Sequence, residues 1–354
     1  MVASFKMMTI ADPWINLDGR LDAPIGTPQY PALLNGYHDG GVADSRYYWP
    51  STMAFNGSTS KYYQPQWHVP GVDYAVGINP GVTLQDPTTI SISGVSVNSG
   101  THTVTVNTGA NGATISGIDF SLDNGWQVVI SASNITLTDC YFASGSNISG
   151  FLSVLNGDNN NNTNLTVKYC HFNGLDTTGS LSSVIGNIRG ATFLYCLIEN
   201  SNQDLVDFGG SGATYVPIVF KYCVFHNDGA ASSHADWLQV GGATYNVTIL
   251  FCLSYHTGGA GSGSQGWFVD PGNGGTVVGF NEYGYNVFVL GSGANVNFCC
   301  GLQFTLGSGN SAIVHDSFAD LTGNNNAFGK TYGTGTATYT NNVSMLSGAE
   351  IPGF

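Results

Sequence analysis

Five cysteines recur at nearly even intervals along this chain, and each one ends a similar short phrase. The intervals are 30, 26, 27 and 29 residues, and the cysteines are Cys140, Cys170, Cys196, Cys223 and Cys252. A period of about 20 to 50 residues is typical of architectures in which one structural unit stacks on the next. The chain is therefore predicted to be a repeat protein over this region.

Each phrase alternates apolar and polar residues and then changes parity at the cysteine. In the second phrase, NLTVKYCHF, Leu165 and Val167 form one apolar set. Cys170 and Phe172 form another set, which simple alternation would not produce. Because a period of two is the pattern of a β-strand, the change of parity predicts a corner between two short strands at each cysteine.

A unit of this length is too long to be one strand, because a strand rises about 3.3 Å per residue. Each unit is therefore predicted to hold several short strands that form one coil of a solenoid. Stacked coils place each cysteine about 4.8 Å above the last, as a ladder of buried thiols. Asn281 follows Cys252 by 29 residues and is predicted to take the next place. We predict an all-β fold, a right-handed parallel β-helix over residues 86–354.

The first 85 residues do not repeat, and they are dense in aromatic residues and turns. An uncovered β-helix end exposes apolar core and unpaired strand edges, so residues 1–85 are predicted to be an irregular cap on the first coil. Aromatic residues are also enriched at protein interfaces. Residues 1–85 are therefore also a candidate segment for attachment to a virion or another surface assembly.

The cysteine phrases resemble the parallel β-helix repeats of the pectate-lyase-like superfamily, which includes pectate lyases, polygalacturonases and phage tailspikes. The resemblance covers residues 86–345. It implies a right-handed parallel β-helix, and a glycan or polysaccharide as the partner. The similarity to tailspikes further implies a homotrimer.

Charge and hydropathy exclude several kinds of partner. Acidic residues outnumber basic ones by 22 to 8, which gives a formal net charge of −14. Because phosphate backbones and anionic lipids would be repelled, neither a nucleic acid nor a membrane is an expected partner. The sequence shows no signal peptide and no apolar run approaching about 18 residues. We expect an extracellular or virion-surface location that is reached without a classical signal peptide.

The cysteines are expected to be reduced thiols. Their total is seven, an odd number, and Cys299 and Cys300 are neighbours. Side chains in register on one sheet face lie alongside each other, which strains a disulfide. Zinc is the alternative, but the ladder has neither a C-x-x-C pair nor histidines at ligand spacing. No metal site and no cofactor are predicted, with Ca²⁺ left open for carboxylates near turns such as Glu199 and Glu282.

A second recurring strand lies between the cysteine phrases, as DLVDFGG, then DWLQVGG and then GWFVDPG. Alternation assigns four of its polar and aromatic residues to the outer face of adjacent coils: Asp207, Trp237, Gln239 and Trp267. Indole faces stack on pyranose rings, and carboxylate and amide groups bond to hydroxyls. These residues are the predicted carbohydrate-binding strip. The alternative is that Trp237 and Trp267 pack under a loop or at a subunit interface.

Two aspartates begin equivalent strands and are candidates for catalysis. If the coils of Asp204 and Asp236 are adjacent, one carboxylate raises the pKa of the other and leaves an acid and a base. Glycoside hydrolysis uses such a pair. The candidate catalytic residues are Asp204, Asp207, Asp236 and His234. The alternative is that these aspartates cap turns.

Two functions follow from the sequence. The first is a surface-displayed structural or carbohydrate-binding β-helix protein, tailspike-like or fibre-like. The alternative is a polysaccharide depolymerase, either a glycoside hydrolase or a lyase. The resemblance to pectate lyases implies an Arg or Lys as the base, yet neither DLVDFGG nor DWLQVGG contains one. The NTD, DD and RIK motifs that a polygalacturonase resemblance implies are also absent. The binding or structural function is therefore favoured.

Overall fold

The structure is a computed structural model, and it is all-β; the part of the chain that it describes also holds three short 3₁₀ turns, at Pro87–Thr89, Thr108–Ala110 and Leu122–Asn124. It describes residues 65, 67, 69–71, 74–148, 153–157, 162–175, 183–201, 203–209, 217–226, 236–241, 244–255, 266–269, 276–277, 279–289, 302–320, 329–345 and 349–351. No helix in this part of the chain has the length and apolarity needed to span a bilayer.

Sheet 1 opens with an antiparallel pair and continues with parallel strands. Its strands are β1 (Val95–Asn98), β2 (Thr103–Val106), β4 (Gln127–Ile130), β7 (Leu155–Gly157), β10 (Ser183–Gly186), β13 (Asp204–Gly209), β16 (Leu238–Gly241), β17 (Thr244–Tyr245), β20 (Trp267–Val269), β21 (Thr276–Val277), β24 (Leu302–Leu306) and β27 (Gly329–Gly333).

Sheet 2 is parallel throughout, and its strands carry the first half of each cysteine phrase. They are β3 (Thr114–Ser116), β5 (Thr136–Thr138), β8 (Leu165–Lys168), β11 (Ala191–Leu194), β14 (Ile218–Lys221), β18 (Val247–Leu250), β22 (Phe280–Gly284), β25 (Ser311–His315) and β28 (Thr336–Thr340).

Sheet 3 is also parallel and begins directly after each cysteine corner. Its strands are β6 (Tyr141–Ala143), β9 (His171–Asn173), β12 (Leu197–Glu199), β15 (Val224–His226), β19 (Leu253–Tyr255), β23 (Val287–Val289), β26 (Phe318–Asp320) and β29 (Val343–Ser344). One strand from each sheet makes a coil, and the predicted parallel β-helix is confirmed.

The predicted corner lies between sheets 2 and 3, at the residue before each cysteine. In β8, Leu165 and Val167 face the core while their neighbours are partly exposed. The chain then turns through the left-handed region, with φ of 53° at Tyr169 and 55° at Tyr195. This conformation costs a non-glycine residue about 1 kcal/mol or more. It also reverses the parity, so that Cys170 faces the core as the sequence predicts.

The corner residues stack on one another as an aromatic ladder along the outside. Ring centroids lie 5.2 Å apart between Tyr169 and Tyr195 and 4.9 Å apart between Tyr195 and Tyr222, with interplanar angles of 11° and 7°. The stack continues through Phe251 to Tyr285. Offset stacking adds about 0.5 to 1.5 kcal/mol per pair beyond burial, which offsets the strain of the corners.

The cysteine ladder is present, and its thiols are free and buried. All five described cysteines are fully inaccessible to solvent, as reduced thiols in the core should be. Cys299 and Cys300 lie outside the described residues. The prediction for Asn281 is wrong, because Asn286 follows the left-handed corner at Tyr285 and occupies the cysteine position instead. Asn281 lies five residues earlier, in β22, because this coil is longer than its predecessors.

The segment that precedes the helix runs along its side. Trp67 packs edge to face against Tyr285 and Phe318, in late coils. Asn79 bonds through its backbone and its amide to the Asp139 carboxylate in an early coil, at 3.1 and 2.7 Å. We call the described residues of 65–85 the strap. Residues 1–64, which hold most of the predicted cap, lie outside the described residues.

The strap covers the apolar part of the outer face of sheet 3. Val224, Leu253 and Val287 are each no more than 2% exposed, and they form one cluster with Trp67 and Val69. At roughly 25 cal/mol per Å² of buried apolar surface, this contact contributes substantially to the stability of both elements. The outward apolar side chains of these coils therefore pack in one cluster with the N-terminal segment.

Candidate functional site

The outer face of sheet 1 brings two predicted binding residues together. Asp207 in β13 pairs directly with Gln239 in β16. Val206 and Phe208 are buried in the core on either side of Asp207, so Asp207 faces outward, and both polar residues are partly exposed. Adjacent parallel strands lie about 4.8 Å apart, so the carboxylate and the amide are neighbours along the helix axis. The sequence predicts this pair correctly.

The two tryptophans of the predicted strip are in the core, and the prediction that they face outward is wrong. Trp237 and Trp267 are both completely buried. Trp267 pairs with the inward-facing Leu238 and not with Trp237, because the two strands are offset by one residue from the predicted register. Trp237 precedes the first residue of β16, and the alternation breaks there because Trp237 and Leu238 are both buried. Neither indole is available to stack on a sugar.

The indoles fill the interior of two consecutive coils. Trp267 contacts Phe225 and Phe288, with centroid distances of 6.0 and 4.6 Å. On sheet 3, Ser254 stands in register between these two phenylalanines and is itself buried. The small side chain of Ser254 interrupts a row of large apolar residues and leaves core volume for the indoles. Packing, and not ligand binding, is the role that this environment gives both tryptophans.

The predicted carboxylate pair is on adjacent coils. The Asp204 Oδ1 atom accepts a hydrogen bond of 2.9 Å from the backbone N–H of Asp236. Asp204 is 7% exposed and Asp236 is completely buried. Burial, and secondarily the charge of Asp236, raises the pKa of Asp204 well above its usual value. The bond to a backbone N–H is that of a capping aspartate, and Asp236 presents no surface to solvent in this arrangement.

Asp207 differs from these two aspartates in its access to solvent. Burial raises the pKa of Asp207 to about 6. Among the described residues, the Asp207 carboxylate accepts no hydrogen bond, and the Gln239 side-chain amide neither accepts nor donates one. Two outward polar groups of complementary kind are thus free to bond to another molecule. His234, the remaining predicted catalytic residue, lies in the segment 227–235 outside the described residues.

A second polar group, which the predicted site residues do not include, lies on the outer face of sheet 3. Glu199 Oε1 is 2.7 Å from His171 Nε2, and Glu199 Oε2 is 3.6 Å from His226 Nδ1. Asn173 donates to Glu199 Oε1 at 3.3 Å. Burial raises the pKa of Glu199, but the two imidazoles outweigh burial and hold this pKa at about 2. We call Tyr141, His171, Asn173, Glu199 and His226 the imidazole cluster.

The repeat itself contains the signal for this cluster. His171 follows its cysteine by one residue, while Glu199 and His226 each follow theirs by three. Both places face outward in sheet 3, because the residue between them faces the core. Aligning the phrases on the cysteines and reading these two places down the stack would have found the cluster.

Metal binding finds no support in this geometry. No group of three or more His, Cys, Asp or Glu side chains in the described ranges is arranged to hold a metal ion. Ca²⁺ at the turn carboxylates therefore stays a prediction.

No protein-family model, curated protein or solved structure matches this chain.

Proposed function

We propose that this protein is a structural β-helix displayed on an extracellular or virion surface, and that it binds a carbohydrate through the outer face of sheet 1. The observation that supports this is the Asp207–Gln239 pair, whose carboxylate and amide are partly exposed and unbonded among the described residues. Sugar hydroxyls require such acceptors and donors at fixed spacing. The net charge of −14 favours a neutral glycan over an acidic one.

Retention of the protein in gels that contain single polysaccharides tests this proposal. We expect one neutral polysaccharide of a bacterial and plant panel to slow the wild type, and Asp207→Asn and Gln239→Ala to lose that effect. Thr105→Ala, on the outward face of an early strand of the same sheet, is the matched control. Retention that survives both site substitutions would contradict the assignment of this face.

A depolymerase is the second candidate function, and one observation favours it. With a pKa of about 6, Asp207 is protonated in part near neutral pH, as a general acid must be. Release of reducing ends, or of the ultraviolet absorbance of unsaturated products, would identify a hydrolase or a lyase. Release that disappears in Asp207→Asn, with folding intact by circular dichroism, would replace the binding function with this one.

The tailspike-like part of the proposal concerns assembly. It comprises a homotrimer and attachment to a larger particle through residues 1–85. Light scattering of the full chain measures the first of these directly. A monomer mass at micromolar concentration would rule out the trimer and leave the glycan proposal standing.

A further inference from the structure

The strap runs along the helix in the direction opposite to the order of the coils. Near its start, Trp67 packs edge to face on Phe318 in β26, which is next to the last strand of sheet 3. Further along, the Gly77 N–H donates to the carbonyl at the corner between β11 and β12. At its end, Gln85 forms a bridge with Ile118 in an early coil. The strap therefore begins beside the last coils and ends beside the first.

The first end of the helix is covered by residues that follow the strap. There β1 lies antiparallel on β2 and so ends the parallel stacking of sheet 1. Ile90, Ile92, Val95 and Val97 pack against the core cluster from this end. Beneath them, the inward side chains of β2 are completely buried. The cover of the first coil is thus built without residues 1–64.

The last end has no such cover among the described residues. In this part of the chain, β27 pairs only with β24 and β28 only with β25, so each keeps one unpaired edge. Residues 349–351 fold back, but they lie against β29. In β28, Ala337 and Tyr339 pack on the core and stay partly exposed, whereas their partners in β25, Ala312 and Val314, are buried. We call β27, β28 and these two partly exposed side chains the open end.

Residues 1–64 join the described part of the chain beside the open end. Met345, which directly follows β29 in the last coil, is completely buried in the same cluster as Trp67. A segment attached this close to a surface reaches it at an effective concentration on the order of millimolar, whereas a second molecule must reach it from bulk solution. Continuity of the chain therefore favours residues 1–64 over a second copy.

The composition of this segment suits the surface. Residues 1–64 are dense in Trp and Tyr, which can cover apolar side chains and bond through their polar atoms. They also hold four of the eight basic residues of the chain but only five of its 22 acidic ones. The strongly acidic remainder of the chain consequently does not repel them.

We propose that residues 1–64 cover the open end, so that the segment expected from the sequence to cap the first coil caps the last one instead. The unpaired edges of β27 and β28 offer backbone N–H and C=O groups to this segment, and its aromatic side chains cover Ala337 and Tyr339. A covered edge also prevents two molecules from pairing end to end. The inference concerns a different surface from the Asp207–Gln239 pair and does not depend on glycan binding.

Photo-crosslinking of the full chain tests this proposal. A benzophenone amino acid replaces Thr338, an exposed residue in the middle of β28. A segment paired with β28 would lie about 4.8 Å from that strand, within reach of the probe. We expect mass spectrometry to identify crosslinks from this position to residues 1–64 of the same molecule. Thr336, also exposed in β28, is a second position for the probe, so the result does not depend on one substitution.

The matched control places the same probe at Ser96, which is exposed in β1 at the first end. We expect no crosslinks from Ser96 to residues 1–64, and circular dichroism checks that each variant is folded. Crosslinks from Ser96 to this segment would return the cap to the first coil and contradict the proposal. A failure of both β28 positions to crosslink to residues 1–64 would contradict it as well.

A mixture of ¹⁵N-labelled and unlabelled protein identifies which molecule supplies the cover. Crosslinks from β28 that stay within one isotopic form support the proposal. Crosslinks that join a labelled chain to an unlabelled one would assign the open end to a second copy and overturn it.

Discussion

At the scale of single residues, the position that follows the corner holds, from Cys140 onward, a small side chain that can both donate and accept. The Cys196 thiol donates to the carbonyls of Leu194 and Val167, at 3.4 and 3.6 Å. Its sulfur in turn faces the backbone N–H of Cys170. In a later coil a side-chain amide makes the equivalent bonds. Asn286 accepts from the backbone N–H of Cys252 and donates to the carbonyl of Ile249.

This equivalence predicts the outcome of exchanging one residue for the other. We expect the free energy of unfolding of Cys196→Asn to lie within about 1 kcal/mol of the wild-type value, because its amide would reach the Cys170 N–H and the Val167 carbonyl. Cys196→Ala loses the bonds to both backbone groups and leaves a small cavity, which lowers the free energy of unfolding by about 1 to 3 kcal/mol. Denaturant unfolding of the wild type and the two variants measures this difference. Equal stability would show that the position needs only small volume.

The cysteine period and the alternation within each phrase predict the coil and the corner, and the alternation within the second recurring strand predicts the Asp207–Gln239 pair. They do not predict the orientation of Trp237 and Trp267, because the alternation breaks just before β16 and β20 is offset by one residue. A slip of one residue moves a side chain to the other face. Local alternation cannot detect a slip that arises from loops of unequal length between coils, and Asn281 was misplaced for the same reason.

At the scale of elements, the strap joins early and late coils that are far apart in the stack. It is anchored at one end by Trp67, which is 7% exposed, and at the other by the bonds from Asn79 to Asp139. Neighbouring coils contact only one another in a solenoid, so local opening is its usual weakness. A segment that crosses several coils couples their opening.

Removing the anchor should release the strap without unfolding the helix. We expect Trp67→Ala to expose the apolar row of Val224, Leu253 and Val287, and to raise the fluorescence of the dye ANS. Truncating a fully buried tryptophan to alanine costs about 3 to 5 kcal/mol of stability. This is an upper limit for the destabilisation in Trp67→Ala, because the strap can detach alone. Val82→Ala, at a strap position 37% exposed, is the control and should leave dye binding unchanged. Unchanged fluorescence in Trp67→Ala would contradict this role.

At the scale of the whole molecule, the titratable groups make the folded protein more stable at mildly acidic pH than at neutral pH. Burial raises the pKa of Asp204 and that of Asp207, the latter to about 6. Burial lowers the pKa of His315, but hydrogen bonds to Asp316 and Glu282 outweigh it and the net shift is upward. The folded state therefore retains protons that the unfolded chain loses as the pH rises. The stability linked to these three groups is present at low pH and is lost as the pH rises through their folded values.

Glu199 sets the opposite limit. Its folded pKa of about 2 lies below the unfolded value, so the stability it contributes is present above about pH 4.5 and is lost as the pH falls toward 2. We expect the free energy of unfolding to be larger near pH 5 than near pH 7.5, and to decrease again below about pH 4. Denaturant titrations at these three values measure it, at low protein concentration because the isoelectric point is about 4.5. Asp207→Asn should reduce the difference between pH 5 and 7.5, since an amide does not titrate. A free energy that increases steadily from pH 5 to 7.5 in the wild type would mean that the buried carboxylates do not retain their protons in the folded protein.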